Sequence, residues 1–316
     1  MSLVPADGSA VTDNLIQPFQ VEGVGLRGRL VRLGSVLDEI LTRHAYPRAV
    51  SGMLGEALTL TAALAAALKF DGIFTLQTKG NGPIATMVAD YRTPGDLRGY
   101  AGFDAAAIAA LEAGGGGPSG VVPRLLGTGY LAFTVDQGSD TERYQGIVEL
   151  TGATLADCAH KYFLQSEQLE AGIRLAVRQV ADESGALHWR GGGLMLQRLP
   201  GDGPQGQRLD EADDDAWRRA LLLMGTASDA ELVDRSLPPR DLLYRLFHED
   251  GVRVWPPLPL SAGCRCSRER VAMVLGSFPP EEVLGMANEG RIEVTCEFCN
   301  SRYEFAAEDL LSAGTT

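Results

Sequence analysis

The chain has 316 residues, 45% hydrophobic and 22% charged, a balance that supports buried cores in about two domains. Its formal net charge is −13 and its pI about 4.8, so it lacks the basic surface that a general binder of nucleic acid or anionic membrane requires. No run reaches the ~18 apolar residues of a membrane span, and the first residues carry no secretory signal, which together predict a cytoplasmic protein that engages no membrane.

Residues 1–13 are small and polar and read as a loose tail. Residues 20–33 read as strand material with a glycine kink. Apolar residues recur at helical spacing over 37–44, and 49–69, rich in Ala and Leu, is the longest helical signal in the chain. Within it, Glu56 reads as a helix-face carboxylate that reaches solvent or a partner, in preference to a catalytic acid. Strands at 73–77 and 84–90 form a β-hairpin through Gly80-Asn81-Gly82-Pro83, a turn without the lysine and following helix of a phosphate loop. A short helix fits 105–111, ahead of a glycine run at 114–117 that reads as an inserted loop. Strands follow at 129–135 and 144–150, a helix at 154–170, and strands at 173–180 and 187–199, the last broken by Gly191, Gly192 and Gly193. Such irregular alternation predicts a mixed α+β core domain over 14–200. Cys158, beside His160, reads as a buried packing cysteine and not as half of a catalytic dyad.

Composition shifts after Pro200. Residues 201–216 are polar and acidic and read as a linker, and amphipathic helices follow at 217–224, 230–237 and 240–248, giving a linker segment over 201–250. Most amphipathic helices are simply docked. The sharper reading is a metastable segment that exposes apolar surface when released, with Trp217, Leu221, Leu222, Met224, Leu246 and Phe247 as the candidate contact residues.

Residues 251–316 hold four of the five cysteines, as Cys264-Arg265-Cys266 and Cys296-Glu297-Phe298-Cys299. Four thiolates at about 2.3 Å fill the tetrahedral shell of zinc and leave no position for water, so such a site is structural or redox-sensing. Ser267 is placed to cap a helix, Pro279-Pro280-Glu281-Glu282 to open a second one closed by Gly290, and a β-hairpin to carry Cys296 and Cys299 in its turn. With few apolar residues the domain should depend on its metal to fold. Arg265, Arg268 and Arg302 would help keep the thiols anionic. Either close pair can in principle be joined, so oxidation would eject the metal and unfold the domain. The Cys-x-x-Cys lies between strands and not at the helix start of a thiol oxidoreductase, no His-x-Glu of a zinc deaminase is present, and no nucleophile–base pair emerges elsewhere, so no enzyme is expected.

These cysteines, together with residues 243–250 (Leu-Tyr-Arg-Leu-Phe-His-Glu-Asp), Arg27-Gly28, Leu54-Gly55-Glu56, Tyr144-Gln145-Gly146 and Gln165-Ser166-Glu167-Gln168, resemble the redox-regulated 33-kDa heat-shock chaperone family over about residues 20–310. The resemblance implies an ATP-independent cytoplasmic holdase whose reduced form binds one zinc ion through Cys264, Cys266, Cys296 and Cys299. Oxidation is then expected to form Cys264–Cys266 and Cys296–Cys299 disulfides, release zinc, unfold the linker, produce a homodimer and bind unfolding client proteins. The chain departs from the family in an N-terminal extension, the 114–117 insertion and an unusually acidic linker. Another class of reading is a zinc-knuckle module that binds RNA or ribosomes, against which the acidic pI speaks. A third is a thiol–disulfide exchange enzyme that needs no metal.

Overall fold

In a computed structural model of the chain, residues 13–114, 120–138, 141–164, 170–198 and 211–313 are described. The N-terminal tail, most of the 114–117 run, the motif at 165–168 and the first part of the expected linker lie outside them. Strands β1 (Leu15–Val21) and β2 (Leu26–Leu33) form a hairpin that turns through Glu22–Val24. The kinked strand expected over 20–33 is therefore two strands, because Gly25, at φ 60°, takes the left-handed conformation that reverses the chain.

Helices α1 (Ser35–Thr42) and α2 (Arg48–Ala65) come next, then a meander of β3 (Ile73–Gly80), β4 (Ile84–Arg92) and β5 (Asp96–Phe103). The sequence pattern does not announce β5, since Gly99 and Gly102 dilute its alternation. Helix α3 (Ala105–Ala113) is capped by Asp104, whose carboxylate accepts from the Ala106 and Ala107 amides. Then come α4 (Val121–Leu125), β6 (Gly129–Asp136), β7 (Tyr144–Glu149), α5 (Leu155–Tyr162), β8 (Ala171–Ala181) and β9 (Leu187–Arg198). Helices α6 (Glu211–Gly225), α7 (Asp229–Val233) and α8 (Pro239–Phe247) lead to short strands β10 (Val252–Val254), β11 (Leu258–Pro259) and β12 (Ser261–Ala262). Helix α6 begins inside the acidic stretch expected to be linker, where negative charge suits the positive end of the helix dipole.

Two six-stranded sheets result, one in the order β10-β1-β2-β9-β8 with β11 also on β1, the other in the order β12-β5-β4-β3-β6-β7. All pairings are antiparallel except β12 with β5. Helix α2 is buried on nearly every side and packs against strands of both sheets, as an apolar helix without a polar face must. Its Thr59 and Thr61 hydroxyls donate to the Gly55 and Ala57 carbonyls at 2.8 and 2.7 Å, so they cost nothing in unmade hydrogen bonds. The glycine run 191–193 does not break β9, which pairs continuously with β2 and β8. A Cβ at Gly191 would lie 2.5 Å from Thr59 Oγ1 of α2, and one at Gly192 would overlap the Leu232 carbonyl of α7. The glycines admit helices to both faces of the strand.

The chain divides between Ala262 and Gly263 into two compact units, later than a boundary at 250, because β10, β11 and β12 pair with the sheets of the first unit. The second unit contains α9 (Arg268–Leu275), α10 (Pro280–Met286), the hairpin β13 (Arg291–Thr295) and β14 (Arg302–Ala306), and α11 (Ala307–Ala313). The architecture is α+β with a small C-terminal four-cysteine domain. Among the described residues, no helix is long and apolar enough to cross a membrane.

Candidate metal centre and the helical cover of the first sheet

The β13–β14 hairpin builds half of the cysteine cluster. Its tip closes through Asn300 N–H to the Cys296 carbonyl at 2.8 Å and Cys296 N–H to the Ser301 carbonyl at 2.9 Å, with Asn300 in the left-handed region at φ 58°. This tight reversal turns the Phe298 and Cys299 amides toward Cys296 Sγ. The other half precedes α9, whose start is fixed by Ser267 Oγ accepting from the Arg270 amide at 3.2 Å. Helix α10 ends at Met286, so Gly290 does not close it. Glu289 and Gly290, at φ 50° and 76°, instead form the reversal between Asn288 and Arg291 that leads into β13.

All five cysteines carry free thiols, and the sulfurs of Cys264, Cys266, Cys296 and Cys299 lie within 4.8 Å of one another. Cys264 and Cys296 are 3.7 Å apart, and Cys266 and Cys299 are 3.2 Å apart. Four sulfurs at the corners of a tetrahedron around a thiophilic ion stand about 3.8 Å apart, so the donor set fits such an ion closely. Burial and the neighbouring thiols push Cys266 up to about 12, although the Tyr303 hydroxyl donates to it at 3.2 Å. Burial likewise raises Cys296. Burial opposes ionisation of Cys299 too, but Ser301, with its hydroxyl 3.2 Å from the sulfur and its amide alongside, brings that thiol down to about 6. The cluster thus gives up a first proton readily and holds the next, until a cation takes their place. Of the three arginines expected to sustain the thiolates, Arg302 pairs with Glu293 at 3.6 Å, and Arg268 stacks 4.5 Å above the Phe305 ring. Among the described residues, the buried apolar core of this unit is Leu275, Val283, Ile292, Phe305, Ala307 and Leu310.

A sequence model of the Hsp33 protein family matches residues 14–306. The chain belongs to the Hsp33 family. It is 44% identical over 300 residues to the 33 kDa chaperonin of Caulobacter vibrioides, covering 95% of this chain and 97% of that one. It is 40% identical over 299 residues to the 33 kDa chaperonin of Nitrosococcus oceani, covering 94% and 93%. The fold is similar to that of the crystal structure of the 33 kDa chaperonin from Thermotoga maritima, with a TM-score of 0.73, 24% identity, and coverage of 95% of this chain and 97% of that one. Membership of this family assigns a chaperone role.

In this Hsp33-family chain the apolar residues singled out in 217–247, apart from Leu222, face the first sheet. Strand side chains alternate between its two faces, so Val31, Leu33 and Met195 join the core around α2 while Leu30, Leu194 and Leu196 point the other way. Helices α6, α7 and α8 cover that second face, where Trp217, Met224, Leu246 and Phe247 are buried against Phe19, Val21, Leu26 and Leu30. The rings of Phe19 and Phe247 stack at 5.9 Å. Leu221 is half-buried, whereas Leu222, 74% exposed, points away from the sheet and takes no part in the cover.

Polar clasps hold the cover. Arg32 of β2, fully buried, donates to the carbonyls of Glu231, Asp234 and Leu237, the first and last at 2.9 Å. Arg190 Nε donates to the Val233 carbonyl at 2.8 Å, and Arg198 pairs with Glu170 and with Asp214 of α6, each at 2.8 Å. Sequence reading missed Arg32. The available signal was its position, two residues from Leu30 on an apolar strand face, where an unpaired charge is not tolerated. Cys158 is buried with its thiol raised by burial, and His160 Nδ1 lies 2.6 Å from the Ala171 carbonyl, so the two residues form no dyad. Glu56 makes no ion pair among the described residues, and burial, with Asp229 adding, pushes its carboxyl up to about 7.

Proposed function

We propose that this Hsp33-family chain is a redox-regulated, ATP-independent holdase of the cytoplasm, inactive while Cys264, Cys266, Cys296 and Cys299 bind zinc as thiolates. One observation carries the reading: a four-thiol cluster stands in a unit with little core of its own, in a chain whose first sheet keeps an apolar face under helices. Zinc, when bound, would cross-link the β13–β14 turn to residues 264–266 and supply stability that six buried apolar residues do not.

The thiolates are the sensor. Peroxide oxidises one thiolate by two electrons to a sulfenic acid, and a second thiolate then displaces water from it to form a disulfide. Each disulfide removes two thiolate ligands from the cluster. In the folded cluster close approaches also cross between the pairs, Cys266 to Cys299 and Cys264 to Cys296. Cys264–Cys266 and Cys296–Cys299 are the disulfides that the family resemblance implies, formed once the unit opens. Residues 201–250 then act as a linker that leaves the sheet. Trp217, Leu221, Leu222, Met224, Leu246 and Phe247, with the sheet face they expose, take unfolding client proteins, and the opened chain dimerises.

The test is peptide mapping of the reduced, zinc-loaded protein after peroxide with mild heating. Two local disulfides with zinc lost support the proposal. Cross-pair disulfides, or four intact thiols with zinc still bound, contradict it.

A further inference from the structure

Away from the cysteines, α2, α3, α4, β8 and β9 line a solvent-open cavity of about 460 Å³. That volume lies in the range that holds a small organic ligand. Arg48, Arg124 and Arg178 line it, and among the described residues none of their side chains has an ion-pair or hydrogen-bond partner. By contrast, Arg174, Arg190 and Arg198 of β8 and β9 are each paired with a carboxylate. The acids on the wall do not neutralise the three. Glu112 accepts from the Ala49 amide at 3.3 Å, and Glu56 is in no ion pair. The remaining wall is apolar, formed by the nearly buried Trp189 with Met53, Leu125 and Val177.

We propose that this cavity binds a small organic oxyanion, a carboxylate or phosphate carried on an apolar body, with Arg48, Arg124 and Arg178 as its counter-charges. The guanidinium groups supply forked donors that suit either oxyanion, and Trp189 offers a flat wall to the body. Glu56 tunes the affinity. The charged groups near it are Asp229 at the start of α7, which is itself paired with Arg174 at 3.0 Å, and the Glu112 and arginine side chains of the cavity wall. Burial and Asp229 both favour the neutral carboxyl, and a neutral Glu56 admits an anion that an ionised one repels. If the anion binds only the neutral form, affinity falls about tenfold between pH 6 and pH 8, as a carboxyl titrating near 7 ionises.

Calorimetric titration of the reduced full-length protein tests this with phenyl phosphate, benzoate and uncharged benzyl alcohol as probes. Saturable binding of either anion, at least about tenfold tighter than benzyl alcohol, is expected, and the stronger of the two identifies the preferred head group. The double variant Arg124→Gln, Arg178→Gln should lose at least about tenfold in affinity while keeping its thermal unfolding midpoint. Both side chains are partly or largely exposed, so the fold tolerates the change. Benzoate keeps one charge from pH 6 to 8, so its loss of affinity over that range reports the protein, and Glu56→Gln should abolish the loss without abolishing binding. Equal binding of the neutral probe, undiminished binding by the folded double variant, or a pH slope that persists in Glu56→Gln would overturn the assignment.

Discussion

Arg32 is the largest of the fully buried side chains, and its charge is spent on backbone carbonyls of the segment around α7. Burial and Arg190 lower it to about 10, with Asp13 and Asp234 opposing, so it remains a cation at neutral pH. Arg32→Met would leave three acceptors without their donor and weaken docking of residues 229–247 by about 2–4 kcal/mol. Hydrogen exchange of the α8 amides should accelerate in the reduced protein, and a variant with unchanged exchange would show that the clasp carries nothing. Glu56 gives a second residue-scale expectation. Its folded carboxyl is raised from 4.5 to about 7, so its contribution is most favourable below pH 4.5, is lost as pH rises to 7, and is constant above. Glu56→Gln should therefore gain stability over wild type by about 3 kcal/mol from pH 5 to pH 8, read from urea unfolding at each pH. The cluster of four cysteines was legible because its chemistry lies in spacing. Arg32 was not, because its partners are carbonyls some 200 positions away that no sequence pattern marks.

At the scale of elements, the cover depends on how closely helices approach β9. Gly192→Val would place a branched side chain on the Leu232 carbonyl, pushing α7 from the sheet while leaving the β2–β9–β8 ladder paired. The expected outcome is chaperone activity in the reduced, metal-loaded protein, measured as suppressed aggregation of a heat-unfolding client, and a variant silent until oxidised would contradict it. In the second unit, chelation of the metal from the reduced protein should erase amide protection in β13 and β14 while that of β3 and β4 persists. Long periodic elements such as α2 and β3–β4 were readable from sequence. The hairpin reversal at Gly25, strand β5 and the unbroken β9 were not, because a glycine in a strand signals a turn, a bulge or a close neighbour equally well until the neighbour is known.

The whole molecule comprises two units with different sources of stability. The first has a large core around α2, and the second has a small core and four thiols. Sequence spacing revealed the four-cysteine cluster, while the amphipathic helices of 211–247 left open which surface they cover. Only the alternation of Leu30, Leu194 and Leu196 against Val31 and Met195 makes that surface visible, since it requires the register of three strands. A net charge of −13 would help keep an opened chain dispersed, so activation need not end in precipitation. The most direct measurement follows zinc content and suppression of client aggregation in one sample as peroxide is added under mild heating. The account predicts about one zinc per chain lost in step with the appearance of activity, and both restored to their starting values by reduction with zinc present. Activity that appears with zinc still bound, or zinc loss that brings no activity, would contradict it.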